Sequence, residues 1–378
     1  MNLQFSGRRN GFKKYIKSLD KILLLVVIAT LALSLFAINS ATFQQEINGR
    51  CMLIQSGGIL LGFVFMLLIS KIDYDLISDL WPYIALATSV VLVVTAFIAP
   101  DINGNRNWIM LGPANVQPSE FGKLCFAVTF SAHLTKIGEQ LNKIKNVLAL
   151  CIHFALYFIP ILLQGDIGTA LVYFGMFLII MFVAGLRYRY FIVGAALAAA
   201  AVPFVWDQMK NYQRERILYG FQPELDPLGR GYQPLVSRMA IGSGQFWGLG
   251  YKNGIQAQNV MLPEIHTDFI YAIVGEESGF IGSLVVILLL LAIIILIIRD
   301  AFKAKDQKGS YICIMIASMI MWQSIINIGM CIGVLPVIGV TLPFFSYGGS
   351  SVMSMLMAIG LVQAVCTKPD RALKFGMR

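Results

Sequence analysis

Ten apolar stretches of about 20 residues recur along this chain, and that recurrence decides the fold class before any motif is considered. A helix rises about 1.5 Å per residue, so each stretch is long enough to cross a hydrocarbon core of about 30 Å. The predicted spans are 22–40, 51–70, 80–99, 119–135, 146–163, 168–186, 190–206, 266–298, 311–332 and 348–366. The fourth is the weakest, being short and carrying Glu120, Lys123 and His133. Only 13% of residues are charged and mean hydropathy is +0.74, whereas soluble domains carry roughly 25% charge. The predicted architecture is therefore an all-α polytopic membrane protein. It forms one domain over 1–378, with a basic N-terminus at 1–20 and a long extracytoplasmic loop at 207–265 between spans 7 and 8.

The formal net charge of +9 is not a nucleic-acid signal, because Lys and Arg gather beside the spans. With the N-terminus cytoplasmic, cytoplasmic segments hold 20 of the 29 basic residues. The short outer loops hold only Arg50 and Arg106, and the six in the long loop weigh little. Both termini are thus predicted inside, with an even number of spans. The basic N-terminal stretch precedes an apolar run without a small-residue cleavage site, so an anchor is expected rather than a signal peptide. Residues Phe5 to Tyr15 read as a plain basic anchor, with an interfacial helix as the alternative. All six cysteines fall in apolar stretches and read as small hydrophobes.

This orientation sends the loop 100–118, the turn Gln164-Gly165-Asp166, the loop 207–265 and the Gly/Pro-rich segment 329–349 to the outer side. The last is apolar yet broken by Gly and Pro, so its backbone should line protein or a cavity rather than lipid. The strongest ionisable cluster is Leu262-Pro263-Glu264-Ile265-His266-Thr267-Asp268-Phe269, running on to Glu276 and Glu277. Counting about 20 helical residues outward from Arg299 puts the outer boundary near Gly279. Asp268 then lies about 12–15 Å beyond that boundary or in a recessed outer cavity, where a carboxylate can serve as a general base. The bland alternative is a helix-start carboxylate with Thr267 as a cap.

Two further groups accompany it. Arg106 and Trp108 precede Gln117-Pro118-Ser119-Glu120 and Lys123; Arg106 is a candidate anion contact, Trp108 an interfacial residue, and Glu120 and Lys123 can simply pair. Arg214, Arg216, Arg230, Arg238 and Lys252 are the long-loop cations. Phe345-Ser346-Tyr347-Gly348-Gly349-Ser350-Ser351 opens the last span, and its two glycines followed by serines can offer backbone N–H groups to an anion, or act as an ordinary hinge with serine capping. His133 and His153 read as packed. The outer side thus offers a candidate base, several cations and an apolar broken segment, which suits a substrate with a lipid tail and an anionic head.

The segments GNRNWIMLGPANVQPSEFGK, QGDIGTALV, DPLGRGYQ with AIGSGQFWGLG, LPEIHTDFIYAIVGEESG and NIGMCIGVLPVIGVTLPFFSYGGSS resemble, in order, the motifs of the SEDS proteins (shape, elongation, division and sporulation). These are bacterial polymerases of the cell-wall precursor lipid II. The run NIGM…GVLPVIG is similar to the elongation branch, whereas the division branch usually reads LPTKG; the sporulation branch is harder to set apart. The resemblance implies a multi-spanning, GT-C-like inverting glycosyltransferase in the bacterial cytoplasmic membrane. Asp268 corresponds to the essential aspartate of the HTDF motif, which would deprotonate the 4-hydroxyl of the acceptor GlcNAc. That hydroxyl would attack the anomeric carbon of the donor MurNAc and expel undecaprenyl pyrophosphate. Trp108, Glu120, Lys123 and Asp166 carry over from the family's motifs as binding residues. Arg106, Lys123 and the loop cations Arg214, Arg238 and Lys252, with Ser350, would face the leaving group, and a divalent cation (Mg or Mn) could share that work. Implied partners are lipid II, a class B penicillin-binding protein transpeptidase and other elongation-complex membrane proteins. Departures from the family pattern are Asn107 where Arg is frequent, Gly165 for Pro and Ile338 for Thr. A lipid II flippase and a non-catalytic scaffold are the alternative functions. A transporter calls for midplane charges, which spans 1–3, 7, 9 and 10 lack.

Overall fold

The structure, a computed structural model, describes residues 18–368 apart from 103, 112–113, 209–210, 260–261 and 263. The basic stretch at 5–15 lies outside the described residues. The long helices are α1 (Lys21–Thr42), α2 (Asn48–Ile69), α4 (Trp81–Ile98), α5 (Pro118–Ile137), α6 (Ile144–Leu163), α7 (Ile167–Val183), α8 (Tyr188–Gln208), α12 (Ile270–Lys303), α13 (Gln307–Cys331) and α14 (Gly349–Thr367). Shorter pieces are α3 (Tyr74–Asp79), the hairpin β1 (Ile109–Leu111) and β2 (Ala114–Val116), α9 (Asn211–Phe221), α10 (Tyr232–Ser243) and α11 (Ile255–Asn259). Eight of the ten long helices are long and apolar enough to cross a membrane. The remaining two predicted spans are α5, which carries Glu120 and Lys123, and the 17-residue α7. The chain is a multi-pass membrane protein.

Burial identifies the centre of the bundle. The apolar windows of α13 and α14 are 72% and 78% buried, while none of α8's is, so α8 lies at the periphery and α13 and α14 form the core. Helices in lipid associate through close packing of small residues. Gly62 of α2 shows this against α14: a Cβ there would stand 2.6 Å from Leu356. At the cytoplasmic end, Lys368 reaches both Asp75 and Asp306 and lies 4.0 Å above the Tyr74 ring. Beside it Arg299 pairs with Asp20 and Asp300, and Gln363 accepts from the Asp20 N–H and donates to its carbonyl.

Two regions depart from the predicted outline. The loop 207–265, predicted without secondary structure of its own, folds into α9, α10 and α11 over the outer end of the bundle. In addition, α12 is broken at Gly279 (φ 63, ψ −155). A break within the bundle leaves peptide groups that need partners, and loop 244–250 provides them. Phe280 N–H donates to Gln245 O (2.9 Å) and Ile281 N–H to Phe246 O (3.4 Å). The Leu249 and Gly250 N–H groups donate to the carbonyls of Glu276 and Glu277, each at 3.0 Å. The buried carboxylates of Glu276 and Glu277 accept from the N–H groups of Gln256 and Lys252, fixing the stretch that follows this loop.

Candidate active site

Asp268 lies on the turn that leads into α12, and its neighbours are held by backbone contacts rather than by a helix cap. Three consecutive carbonyls are occupied: that of His266 by Tyr347 N–H (2.9 Å), of Thr267 by the Ser346 hydroxyl (2.6 Å) and of Asp268 by the Asn327 amide (2.8 Å). Cys331 Sγ lies 3.5 Å from the Asp268 carbonyl as well. Asp268 does stand at the helix start, but Thr267 does not cap it. The N-cap of α12 is Phe269, without a side-chain bond, and the Thr267 hydroxyl lies 3.0 Å from both the carbonyl and the carboxylate of Glu264. Asp268 is half-buried, with Gly339 (φ +72) facing it so that a Cβ there would stand 3.5 Å from Oδ2. The His266 ring packs at a tilt against Tyr347, 5.2 Å between centroids, and burial pushes its imidazole below the usual value against the opposing pull of Glu264.

The broken segment between α13 and α14, residues 332–348, is a strap across the outer end; its second half, with Val340, Leu342, Phe344 and Phe345, is buried in protein as its composition predicted, while Ile332 and Val334 in the first half are exposed. Gly168, at the start of α7, meets it closely: a Cβ there would lie 2.6 Å from Ile338 O. Thr341 lies 3.3 Å from the hydroxyl of Ser351 on α14. One turn further along α14, Ser354 donates to Glu120 (3.0 Å), whose other oxygen receives Lys123 at 2.7 Å. Glu120 and Lys123 are 4% and 1% exposed, so the pair predicted from their spacing is sealed inside the bundle.

Asp166 caps α7. Its carboxylate accepts from Asn107 (2.7 Å), Gln117 (3.0 Å), the Thr169 N–H (2.9 Å) and the Thr169 hydroxyl (2.9 Å). The Arg106 N–H donates to Gln164 O, while its exposed guanidinium lies 3.6 Å from Asp101. Trp108 is half-buried next to the hairpin. Of the long-loop cations, Arg214 donates to the Trp206 and Asp207 carbonyls and so completes the last turn of α8. Arg238 reaches the strap at Gly333 O (3.0 Å) and Glu224 (3.3 Å). Lys252 lies over the rings of Phe43 and Tyr251. Ser350 is buried in the first turn of α14. His133 and His153 pack in a stack with Trp81, away from the outer side, as expected of packed histidines.

Among the buried polar atoms of the outer side with no hydrogen-bond partner within the protein are His266 Nδ1, Arg238 Nε and the Ser350 hydroxyl. Among the described residues no group of three His, Cys, Asp or Glu could hold a metal ion. His266 and Ser346 fall within clusters the sequence singled out, though without a role of their own, whereas Asn327 is an ordinary polar residue in apolar surroundings and was not a candidate.

A profile of the cell cycle protein family of FtsW, RodA and SpoVE matches residues 20–370. The chain is 33% identical over 356 residues to peptidoglycan glycosyltransferase MrdB of Escherichia coli K12, covering 92% of this chain and 94% of that protein. It is 37% identical over 309 residues to stage V sporulation protein E of Bacillus subtilis, covering 80% and 83%. Its fold is similar to a chain solved in a peptidoglycan synthase complex that coordinates polymerization and crosslinking, with a TM-score of 0.81, 29% identity and coverage of 93% and 99%. It is also similar to the rod shape determining protein RodA of Thermus thermophilus, with a TM-score of 0.70, 25% identity and coverage of 92% and 96%.

Proposed function

Because the chain belongs to the cell cycle protein family of FtsW, RodA and SpoVE, we propose that it is a peptidoglycan glycosyltransferase that polymerises lipid II during cell elongation. It works at the outer face of the bacterial inner membrane. The observation that carries the site assignment is Asp268 itself, a half-buried carboxylate at the outer end whose turn is pinned at three consecutive carbonyls. A base held this firmly loses little to reorganisation when it takes a proton.

In the proposed step, Asp268 takes the proton of the acceptor's 4-hydroxyl. The resulting oxygen forms a bond to the anomeric carbon of the donor sugar, with inversion, as the bond from that carbon to undecaprenyl pyrophosphate breaks. The bonding pair leaves with the pyrophosphate, so negative charge grows there and calls for cations and N–H or O–H donors. Arg238, Lys252 and Arg106 are the cations available for this, with Trp108 as a sugar or lipid contact. The unpartnered Ser350 hydroxyl, Arg238 Nε and His266 Nδ1 offer further polar contacts. Glu120, Lys123, Asp166 and Arg214 are already satisfied within the protein, so they shape the site from behind. A divalent cation, Mg or Mn, has no all-protein cage among the described residues and would have to be held largely by the substrate's pyrophosphate.

The similar chain solved in a synthase complex supports a crosslinking partner, which we assign as a class B penicillin-binding protein within a larger elongation assembly. The test is direct. Purified protein with its transpeptidase is given labelled lipid II in detergent, and both glycan polymer and released undecaprenyl pyrophosphate are followed. Stoichiometric appearance of both supports a polymerase; neither appearing from active, folded complex would sink the proposal.

A further inference from the structure

We infer that Asn327 is a positioning residue for Asp268, setting the reach of the carboxylate by tying its backbone and the strap to one helix. This rests on the polymerase reading above. Asn327 is completely buried on α13, one turn before the helix ends. Both hydrogens of its amide are used: one bonds the Asp268 carbonyl at 2.8 Å, the other the Val340 carbonyl at 2.7 Å. The Asp268 carbonyl and the Val340 carbonyl therefore meet on a single planar NH2 group, and its geometry fixes the gap between them.

That gap is where the carboxylate sits. Val340 follows Gly339, whose Cα faces Asp268 Oδ2, so a shift of the strap at Val340 moves the wall against which the carboxylate rests. The other two pins act elsewhere. Ser346 and Tyr347 hold the carbonyls of Thr267 and His266 from the end of the strap that Ser34 of α1 and Gln55 of α2 secure at Phe345, Ser346 and Gly348. Of these three, Asn327 is the one that bonds the Asp268 carbonyl itself, and it ties that carbonyl to Val340. Cys331 stands behind it, 3.5 Å from the same Asp268 carbonyl, as a weak thiol donor that cannot carry the bond by itself. The chemistry also explains the residue type. Two donors on one short planar group are required, so Leu has the size without the donors, and Gln has the donors one methylene too far out.

A purely structural role would cost stability without selecting one kinetic constant, which the experiment exploits. Full-length protein with its transpeptidase is assayed for initial polymerisation rate against lipid II concentration, alongside melting temperature, for Asn327→Leu, Asn327→Gln and Gln363→Leu. Gln363 is the control: it too is fully buried with two side-chain bonds to backbone, to Asp20 at the cytoplasmic end. For Asn327→Leu we expect kcat to fall about a hundredfold with KM within about twofold, as misplacement of a reacting group by ångströms does. Gln363→Leu should melt lower yet keep wild-type kcat. If Asn327→Leu does not fold, Asn327→Gln carries the test, with kcat reduced at an unchanged melting temperature. Activity that tracks melting temperature alike at 327 and 363, or a raised KM with intact kcat, overturns the inference. Asp268→Asn distinguishes the two levels. An inactive Asp268→Asn beside fully active Asn327 variants defeats this inference alone, while an active Asp268→Asn defeats the polymerase assignment of the base.

Discussion

Replacing Gly279 with alanine should both destabilise the protein and disturb the site, and the size of the effect follows from the break in α12. The backbone there (φ 63, ψ −155) lies in a region open essentially to glycine, so a side chain costs about 1–3 kcal/mol in conformation alone. The new Cβ would stand 2.5 Å from Gly248 N and 2.7 Å from Phe246 O, both backbone atoms that cannot swing aside. Loop 244–250 would have to retreat, straining the four bonds that complete the interrupted ladder. With about 1 kcal/mol net per bond and partial retention, the total comes to about 3–5 kcal/mol. Thermal unfolding in detergent measures this, followed by polymerisation well below the transition. Because Ile270–Ser278 carries the Asp268 turn, polymer yield should fall even where the fold persists. A Gly279→Ala protein that melts within about 1 °C of wild type and polymerises fully would refute the reasoning.

Other perturbations reach different parts of the account. Lys123→Met leaves Glu120 buried without its cation and should cost about 3–5 kcal/mol, with Glu120→Leu/Lys123→Met recovering part of the loss. A double variant less stable than either single one contradicts the buried pair. Asp166→Ala strips an acceptor from Asn107, Gln117 and Thr169, so amide exchange at residues 104–107 should rise sharply; unchanged protection there contradicts its role as the hub of that loop. The cytoplasmic knot predicts a pH signature. Burial opposes both charges, yet Lys368, the Gly309 N–H and the Tyr74 hydroxyl hold Asp306 below its usual value, while Asp306 and Asp75 hold Lys368 above its own. The Asp306 contribution is thus present above the unfolded carboxylate's pKa and lost as pH falls through the depressed value. The Lys368 contribution is present below its unfolded pKa and lost as pH rises through the raised one. The melting difference between wild type and Lys368→Met should therefore be flat between about pH 6 and 8 and shrink at both extremes; a steep change inside that window contradicts the pairing.

Much of the fold was legible because bilayer thickness imposes a single length on every span. The ten apolar stretches correspond to α1, α2, α4 to α8 and α12 to α14, with ends moved by a few residues. Gly279 emerged from counting inward-to-outward residues as a boundary, but hydropathy carries no sign that a distant loop would complete the helix there. Asp268 stood out as a carboxylate beyond that boundary. Its supports did not, since Asn327 lies 59 residues from Asp268 and Ser346 79 from Thr267, and both reveal this role only through contact. The long-loop cations were hard to read for a related reason. An arginine in a loop looks solvated or ligand-facing until the loop folds, and here α9 and α10 bring Arg214 onto the end of α8 and Arg238 onto the strap.

The most direct measurement is the rate of glycan polymerisation from labelled lipid II by the full-length protein and its Asp268→Ala variant, each purified with the transpeptidase and matched for melting temperature. The account predicts processive polymer from wild type and none above background from the variant, with fold and partner binding retained. Polymer from Asp268→Ala at the wild-type rate would contradict the assignment of Asp268 as the base.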